Sequence, residues 1–177
     1  MRVTLIPAGL LALLLAAATP RDAAATAVAE HVARANDMLV AMFDPSRDFA
    51  TDQESQRQYM APKLVEAVAG RDAFAKQRTE EFPDERTDPP SSETFLDAWD
   101  RPTSYAIVGA RAYEDVAWVD VRYTWGPKTN YPGETRLASL LLHRIDGAWR
   151  LADIYDHASE FHATPGTLLD RLADRTE

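Results

Sequence analysis

The stretch that decides the fold is Leu137-Ala-Ser-Leu-Leu-Leu-His-Arg-Ile-Asp-Gly-Ala-Trp-Arg-Leu-Ala-Asp-Ile-Tyr155. Its Asp146-Gly147 pair supplies the positive φ angles of a two-residue hairpin turn. The segment after the turn carries Trp149, Leu151 and Ile154 between polar residues. The stretch therefore predicts two strands of a curved antiparallel sheet that wraps around helices.

Two further strands are predicted before this hairpin. Residues 116–125 alternate strictly, with Ala, Val, Val, Tyr and Trp on one face and Trp, Asp, Arg and Thr on the other. This period of two is typical of a half-buried strand. A preceding strand is expected from Ser104 to Tyr113, with a turn at Glu114-Asp115, and residues 126–133 are expected to form a loop.

The first half of the chain predicts helices. Apolar residues three and four apart indicate an amphipathic helix over residues 26–43, with His31 on its exposed side. A second helix is expected over residues 52–70, with a break before Pro62 and with Gly70 as its C-cap. A short helix over residues 71–82, a mobile loop near 83–93 and a final helix over 167–172 complete the pattern.

This order of elements predicts an α+β fold. N-terminal helices would pack on a curved antiparallel sheet of about four strands, and a short C-terminal helix would follow. Residues 26–177 are long enough for a single domain with its own core.

The N-terminus predicts a secretory signal peptide. Met1-Arg2 is a short basic start, and the apolar run from Leu5 to Ala18 is shorter than the ~20 residues that span a bilayer. Small residues place the cleavage site after Ala18 or as late as Ala25; an uncleaved anchor is the alternative. We therefore expect a periplasmic or secreted protein without membrane attachment after cleavage.

The composition excludes several classes of function. The chain has no cysteine, which rules out disulfides, thiolate chemistry and Cys-ligated zinc. Its formal net charge of −9 repels phosphate backbones and anionic membranes, so nucleic-acid binding is not expected, whereas a basic protein partner is compatible. With seven glycines and no phosphate-binding or dinucleotide motif, no cofactor is expected.

Three segments and the Leu-rich end carry a family resemblance. Tyr59-Met-Ala-Pro-Lys-Leu64, Phe95-Leu-Asp-Ala-Trp99-Asp100 and Asp146-Gly-Ala-Trp-Arg-Leu-Ala-Asp-Ile154 resemble bacterial exported proteins grouped as domain-of-unknown-function family 3828. The resemblance covers most of residues 50–172 and implies the cone-shaped α+β fold of cystatin and nuclear-transport-factor-2-like proteins. It implies fold rather than chemistry, so no residue inherits a role. The carboxylate or His-Asp pair of isomerases and cyclases with that fold has no match here by motif.

Aromatic residues predict a ligand pocket inside such a cone. A pocket lined by aromatic rings with a few polar tips would suit a small apolar ligand. The alternative is a packed core, because aromatic side chains dominate cores as well. The expected pocket residues are Trp99, Tyr105, Tyr123, Trp125 and Trp149.

Asp153 is the candidate catalytic base. A carboxylate that faces an aromatic cavity acquires a raised pKa and can accept a proton. We expect Asp153 beside Tyr123 and Trp125, with Tyr123 or Tyr155 as the hydrogen-bond donor. The alternative is that Asp153 faces solvent or binds backbone N–H groups at a bulge.

The histidines after the last strand are weak candidates for a metal site. His157, Glu160 and His162, with Asp153, offer imidazole and carboxylate ligands for a divalent ion. The two histidines are five residues apart, off the i,i+4 spacing that places two ligands on one helix face. The alternative is a solvated segment that leads to the last helix.

The pattern as a whole favours an exported, non-enzymatic binding or interaction module. Its partner would be a small apolar ligand, a basic protein or a second copy of the chain, since Trp118 lies on the polar face of its strand. The alternative is a small-molecule enzyme of the isomerase or cyclase type with a carboxylate base inside the cone.

Overall fold

The computed structural model describes residues 20–84, 89–96, 101–157 and 166–174. Helices come first, strands follow, and one short helix closes the chain, as the sequence predicts. The elements are α1 (Pro20–Phe43), α2 (Gln53–Tyr59), α3 (Pro62–Glu81), α4 (Ser92–Leu96), β1 (Ser104–Tyr113), β2 (Val116–Thr124), β3 (Thr135–Ile145), β4 (Ala148–Asp156), β5 (Gly166–Thr167) and α5 (Leu168–Ala173).

The predicted break before Pro62 is confirmed. Asp52 caps α2 by accepting a hydrogen bond from the Ser55 backbone N–H, which is the usual role of an N-cap carboxylate. Met60 and Ala61 are extended, and Pro62 begins α3 in the first turn, where its missing N–H costs nothing.

The predicted C-cap at Gly70 is wrong. Helix α3 continues through Gly70 to Glu81, so the expected third helix over 71–82 is part of the same element. A glycine inside a helix costs about 1 kcal/mol relative to alanine. Burial of Leu64, Val68 and Ala75 on both sides of Gly70 offsets that cost.

The sheet is antiparallel, in the order β1-β2-β3-β4-β5, and is not closed into a barrel. Over the described residues it has one strand more than the four predicted, because the short β5 pairs with the end of β4. Both predicted turns are present: Glu114 has φ of 51° between β1 and β2, and Asp146 and Gly147 have φ of 51° and 78° between β3 and β4.

The core lies between the helices and one face of the sheet, here called the inner face. Residues Met38, Leu39 and Met42 of α1 are fully buried, as are Val119 and Val121 of β2. Among the described residues, no helix is long and apolar enough to cross a membrane.

The expectation that His31 is exposed is wrong. Its side chain is fully buried, and its ring packs edge-on against Trp149 with 5.7 Å between the ring centroids. Helical periodicity places His31 near the border of the apolar stripe. Packing of α1 against the start of β4 is what buries it.

Candidate functional site

The face of the sheet opposite the core, here called the outer face, is the first candidate site. Side chains of β2 alternate between buried and partly exposed, and the buried ones belong to the core. The outer face nevertheless carries several apolar and aromatic side chains, which is unusual for the solvated side of a sheet. They are Val116, Trp118, Leu137, Leu141 and Tyr155.

An aromatic cluster lies at the centre of the outer face. The rings of Trp118 and Tyr155 meet edge to face with 5.0 Å between centroids. The guanidinium of Arg111 lies over the Trp118 ring, 5.5 Å from its centroid. Leu137 and Tyr155 are 42% and 36% exposed, so this cluster is open to solvent at its edges.

A polar network runs beside the aromatic cluster. The Ser139 hydroxyl donates to Asp120 Oδ1 at 2.6 Å and lies 2.9 Å from His157 Nε2. Because its single proton is donated to Asp120, the imidazole N–H donates to Ser139 Oγ. Arg111 pairs with the other carboxylate oxygen of Asp120 at 3.0 Å.

The order of this network argues against nucleophilic catalysis. A serine nucleophile hands its proton to a histidine, which a carboxylate orients. Here Ser139 stands between Asp120 and His157 and is almost fully buried. The network therefore organises the outer face rather than activating a nucleophile. Gly109 makes room for it, since a Cβ there would lie 3.0 Å from Asp120 Oδ2.

Sequence reasoning missed this network. Asp120 lies on β2, Ser139 on β3 and His157 directly after β4. Only the register of β2 on β3 makes Asp120 and Ser139 direct neighbours. That register follows an eight-residue loop over 126–133 rather than a tight turn. In the sequence, the feature that points toward this network is the row of polar side chains on one face of β2.

The inner face near the 126–133 loop is the second candidate site, here called the loop end of the core. Glu134 and Arg136 form an ion pair at 2.5 Å, with side chains that are only 6% and 10% exposed. The Arg136 guanidinium lies 4.8 Å from the centroid of Trp125 and 5.6 Å from that of Tyr131. The Trp125 and Tyr131 rings are themselves 6.4 Å apart.

Tyr123 lies beside this ion pair on the inner face, directly opposite Arg136 in the register of β2 and β3. It is 1% exposed, and its hydroxyl has no hydrogen-bond partner in the described part of the chain. Burial raises the pKa of Tyr123 well above its usual range; the negative charge of Asp156 adds to that shift and Arg171 opposes it. The phenol is therefore neutral.

The predicted pocket residues do not all converge. Tyr105 and Tyr123 pack on the same Phe43 ring, with centroid distances of 5.0 Å and 6.0 Å, and Trp125 follows at the same end. Trp149 lies at the opposite end of the sheet, where it is paired with Arg144 beside the β3–β4 turn. Trp99 lies outside the described residues.

Much of the interior is filled by side chains. The exposed fraction is 0% for the side chains at the centre of the helix–sheet interface, so no water-sized cavity adjoins them. These residues are Leu64, Val119, Val121, Leu140, Leu142, Leu151 and Ile154.

Asp153 is not beside Tyr123 and Trp125, so that expectation is wrong. Its register partner is Leu141 on the outer face, because a bulge shifts the pairing between Leu141 and Leu142. Its carboxylate Oδ1 accepts the backbone N–H groups of Ile154 at 2.8 Å and Leu169 at 3.0 Å. Burial raises the pKa of Asp153, while these hydrogen bonds and one from Thr167 oppose the shift.

The carboxylate of Asp153 thus serves as a second cap for α5. Thr167 accepts from the Asp170 N–H as the N-cap of the helix, and Asp153 satisfies Leu169 in the same first turn. Tyr155, the other predicted donor, lies on the outer face against Trp118.

The structure brings none of the predicted metal ligands together in the described ranges. His157 contacts Ser139, whereas Glu160 and His162 lie outside the described residues. Within the part of the chain that is described, no group of three His, Asp or Glu side chains is placed to hold a metal ion.

Comparison with known proteins adds no identity. No protein-family model, no curated protein and no solved structure matches this chain. The function must therefore be argued from the site itself.

Proposed function

We propose that this chain is an exported, non-enzymatic interaction domain that associates with a second copy of itself through the outer face. In this proposal the α+β domain is of the cystatin and nuclear-transport-factor-2-like type and relates to the exported family 3828. The helices bury the inner face, and the outer face is the surface that binds the second copy.

The observation that carries the proposal is the Arg111–Trp118–Tyr155 cluster on the outer face. Trp, Tyr and Arg are the residues that dominate binding energy at protein interfaces. Leu137 and Leu141 surround the cluster with apolar surface. On a sheet face that contacts only water, polar side chains are usual at these positions.

The distribution of charge favours a second copy as the partner. Residues 20–100, the range that contains α1 to α4, have seventeen Asp and Glu but nine Lys and Arg. Residues 101–157, which form the sheet, contain seven of each. When two outer faces meet, the acidic halves point away from each other, so their repulsion is small.

Two observations support a non-enzymatic role over the isomerase or cyclase alternative. The carboxylate predicted as the base caps α5 and contacts backbone N–H groups. The centre of the helix–sheet interface is packed without water-sized gaps at Val121, Leu140 and Ile154.

Self-association is tested with Leu137→Glu. We expect the exported protein to form dimers in sedimentation equilibrium. The new carboxylate should weaken that association at least about tenfold, because its charge would lose its hydration at the interface even beside Arg122, its register partner. Val40→Glu is the matched control, since Val40 is 57% exposed on the helical side of the molecule. Weak specific association has a Kd of roughly 0.5 mM. A wild-type protein that stays monomeric at about this concentration would therefore refute the proposal.

Export is tested separately. When the full chain, including residues 1–25, is expressed in a bacterial host, we expect it in the periplasmic fraction. Its mature N-terminus should then follow Ala18 or Ala25. A matched version that begins at Thr26 should remain in the cytoplasm. Recovery of the full-length chain with Met1 intact in the cytoplasmic fraction would contradict export.

A further inference from the structure

The two edges of the sheet differ in how they are covered. At one edge, the Ala61 N–H donates to the Leu151 carbonyl of β4 at 2.8 Å, and β5 pairs with the end of the same strand. At the opposite edge, β1 pairs with β2 alone in the described part of the chain. Every second residue of an antiparallel ladder directs its N–H and C=O away from its partner, so β1 presents a row of these groups to a further strand.

The sequence of β1 has few of the features that usually protect an edge strand. Native edges are commonly blocked by lysine, proline or inward-pointing charges. The ten residues of β1 include no lysine or proline and a single charged residue, Arg111. The one protective feature is a bulge between Ile107 and Gly109. The bulge separates a first stretch, Ser104–Ile107, from the rest of the edge.

Helix α1 places an exposed apolar side chain beside the first stretch of β1. The Tyr105 hydroxyl donates to Asn36 Oδ1 at 3.1 Å, and the Tyr105 ring packs on Phe43 with 5.0 Å between centroids. Val40 lies between Asn36 and Phe43 on the same side of the helix, since residues three and four apart share a face. It is 57% exposed, and Val108 at the bulge is 45% exposed. Two exposed valines therefore border this edge.

The charge beside the edge favours a basic partner. Asp37 follows Asn36 on α1 and is exposed. Burial raises the pKa of the Tyr105 phenol, and the negative charge of Asp37 adds to that shift, so this carboxylate lies near the edge. The chain as a whole has a formal net charge of −9, which attracts cationic partners to its surface.

We propose that β1 receives an extended, basic segment of another protein as an additional strand of the sheet. The segment pairs through its backbone with the first stretch of β1, its inward apolar side chains pack on Val40, and a lysine or arginine beside them pairs with Asp37. Alternate positions of a strand share a face, so the segment needs a basic residue followed by apolar residues at every second position. The edge is separate from the outer face, so this proposal stands or falls independently of self-association.

The probe is the peptide acetyl-Lys-Thr-Val-Thr-Val-Lys-amide, added to the nitrogen-labelled exported protein and followed by NMR. We expect millimolar peptide to shift the backbone amide signals of Ser104–Ile107. The same peptide N-methylated at both valines and both threonines keeps its side chains but lacks the central N–H donors, so it should cause no such shifts. A peptide with glutamate in place of both lysines should bind more weakly, because Asp37 repels it.

Asp37→Asn should weaken binding of the lysine peptide about two- to fivefold, the effect of one exposed ion pair. Glu66→Gln is the matched control. It removes the same charge from an exposed position on α3, which packs against β4 and α5, and it should leave the affinity unchanged.

Several results would overturn strand addition at β1. These are absence of shifts in the first stretch of β1, equal binding of the N-methylated peptide, or equal affinities of Asp37→Asn and Glu66→Gln. A dimer that persists in Leu137→Glu and that the peptide dissociates would assign this edge to a second copy of the chain, and it would overturn the proposal as well.

Discussion

Replacing Arg136 with leucine is expected to destabilise the folded protein by about 3–5 kcal/mol, because it leaves the buried Glu134 carboxylate without its partner. The Glu134 and Arg136 side chains are both at least nine-tenths buried and 2.5 Å apart. The change also removes the guanidinium from the faces of Trp125 and Tyr131. Urea unfolding at pH 7 measures the loss.

Two comparisons separate the buried charge from other effects. The double variant Glu134→Gln/Arg136→Leu should recover much of the stability, since no unpaired charge remains. Lys76→Leu breaks the exposed ion pair with Asp72 on α3 and should cost at most about 1 kcal/mol. Similar losses for Arg136→Leu and Lys76→Leu would show that burial of the first pair has no energetic consequence.

Asp153→Ala is expected to cost about 2–4 kcal/mol, because the backbone N–H groups of Ile154 and Leu169 would lose their shared acceptor in a buried setting. Asp153→Asn keeps an oxygen acceptor and should lose less than half as much. Urea unfolding of the two variants against wild type measures both effects. A larger loss for Asn than for Ala would contradict the capping role.

The same carboxylate predicts a pH dependence of stability. Burial raises the pKa of Asp153 above its usual 3.8, so the folded state holds this proton more tightly than the unfolded state. Stability from this group is therefore complete below pH 3.8 and falls as the pH rises through the folded-state value. As the pH rises across that window, the free energy of unfolding of wild type should decline relative to that of Asp153→Asn. An increase would mean that folding lowers the pKa of Asp153 instead of raising it.

The position of Asp153 shows where sequence reasoning on the site reached its limit. The alternation of β4 allowed either an inward or an outward carboxylate, and the bulge between Leu141 and Leu142 decided the outcome. Its partner Leu169 is sixteen residues further on, across a segment with no periodic pattern. A local pattern carries no information on such a contact.

Local sequence patterns were equally limited at both candidate sites, the outer face and the loop end of the core. Alternation predicted that Trp118 and Asp120 share the polar face of β2. Which side chains they meet depends on the register with β3, and nothing near the 126–133 loop specifies that register in the sequence. Nor does local sequence indicate that Glu134 and Arg136 turn inward as an ion pair.

What the sequence by itself determined is the order and type of the elements. Asp146-Gly147 sets the hairpin and Pro62 divides α2 from α3, because the backbone geometry of these residues is limited whatever surrounds them. Tertiary structure alone decided that α3 passes through Gly70, that His31 is buried, and that Asp153 caps α5. Those outcomes arise from packing and strand register between distant segments, whose free energies outweigh local preferences of about 1 kcal/mol.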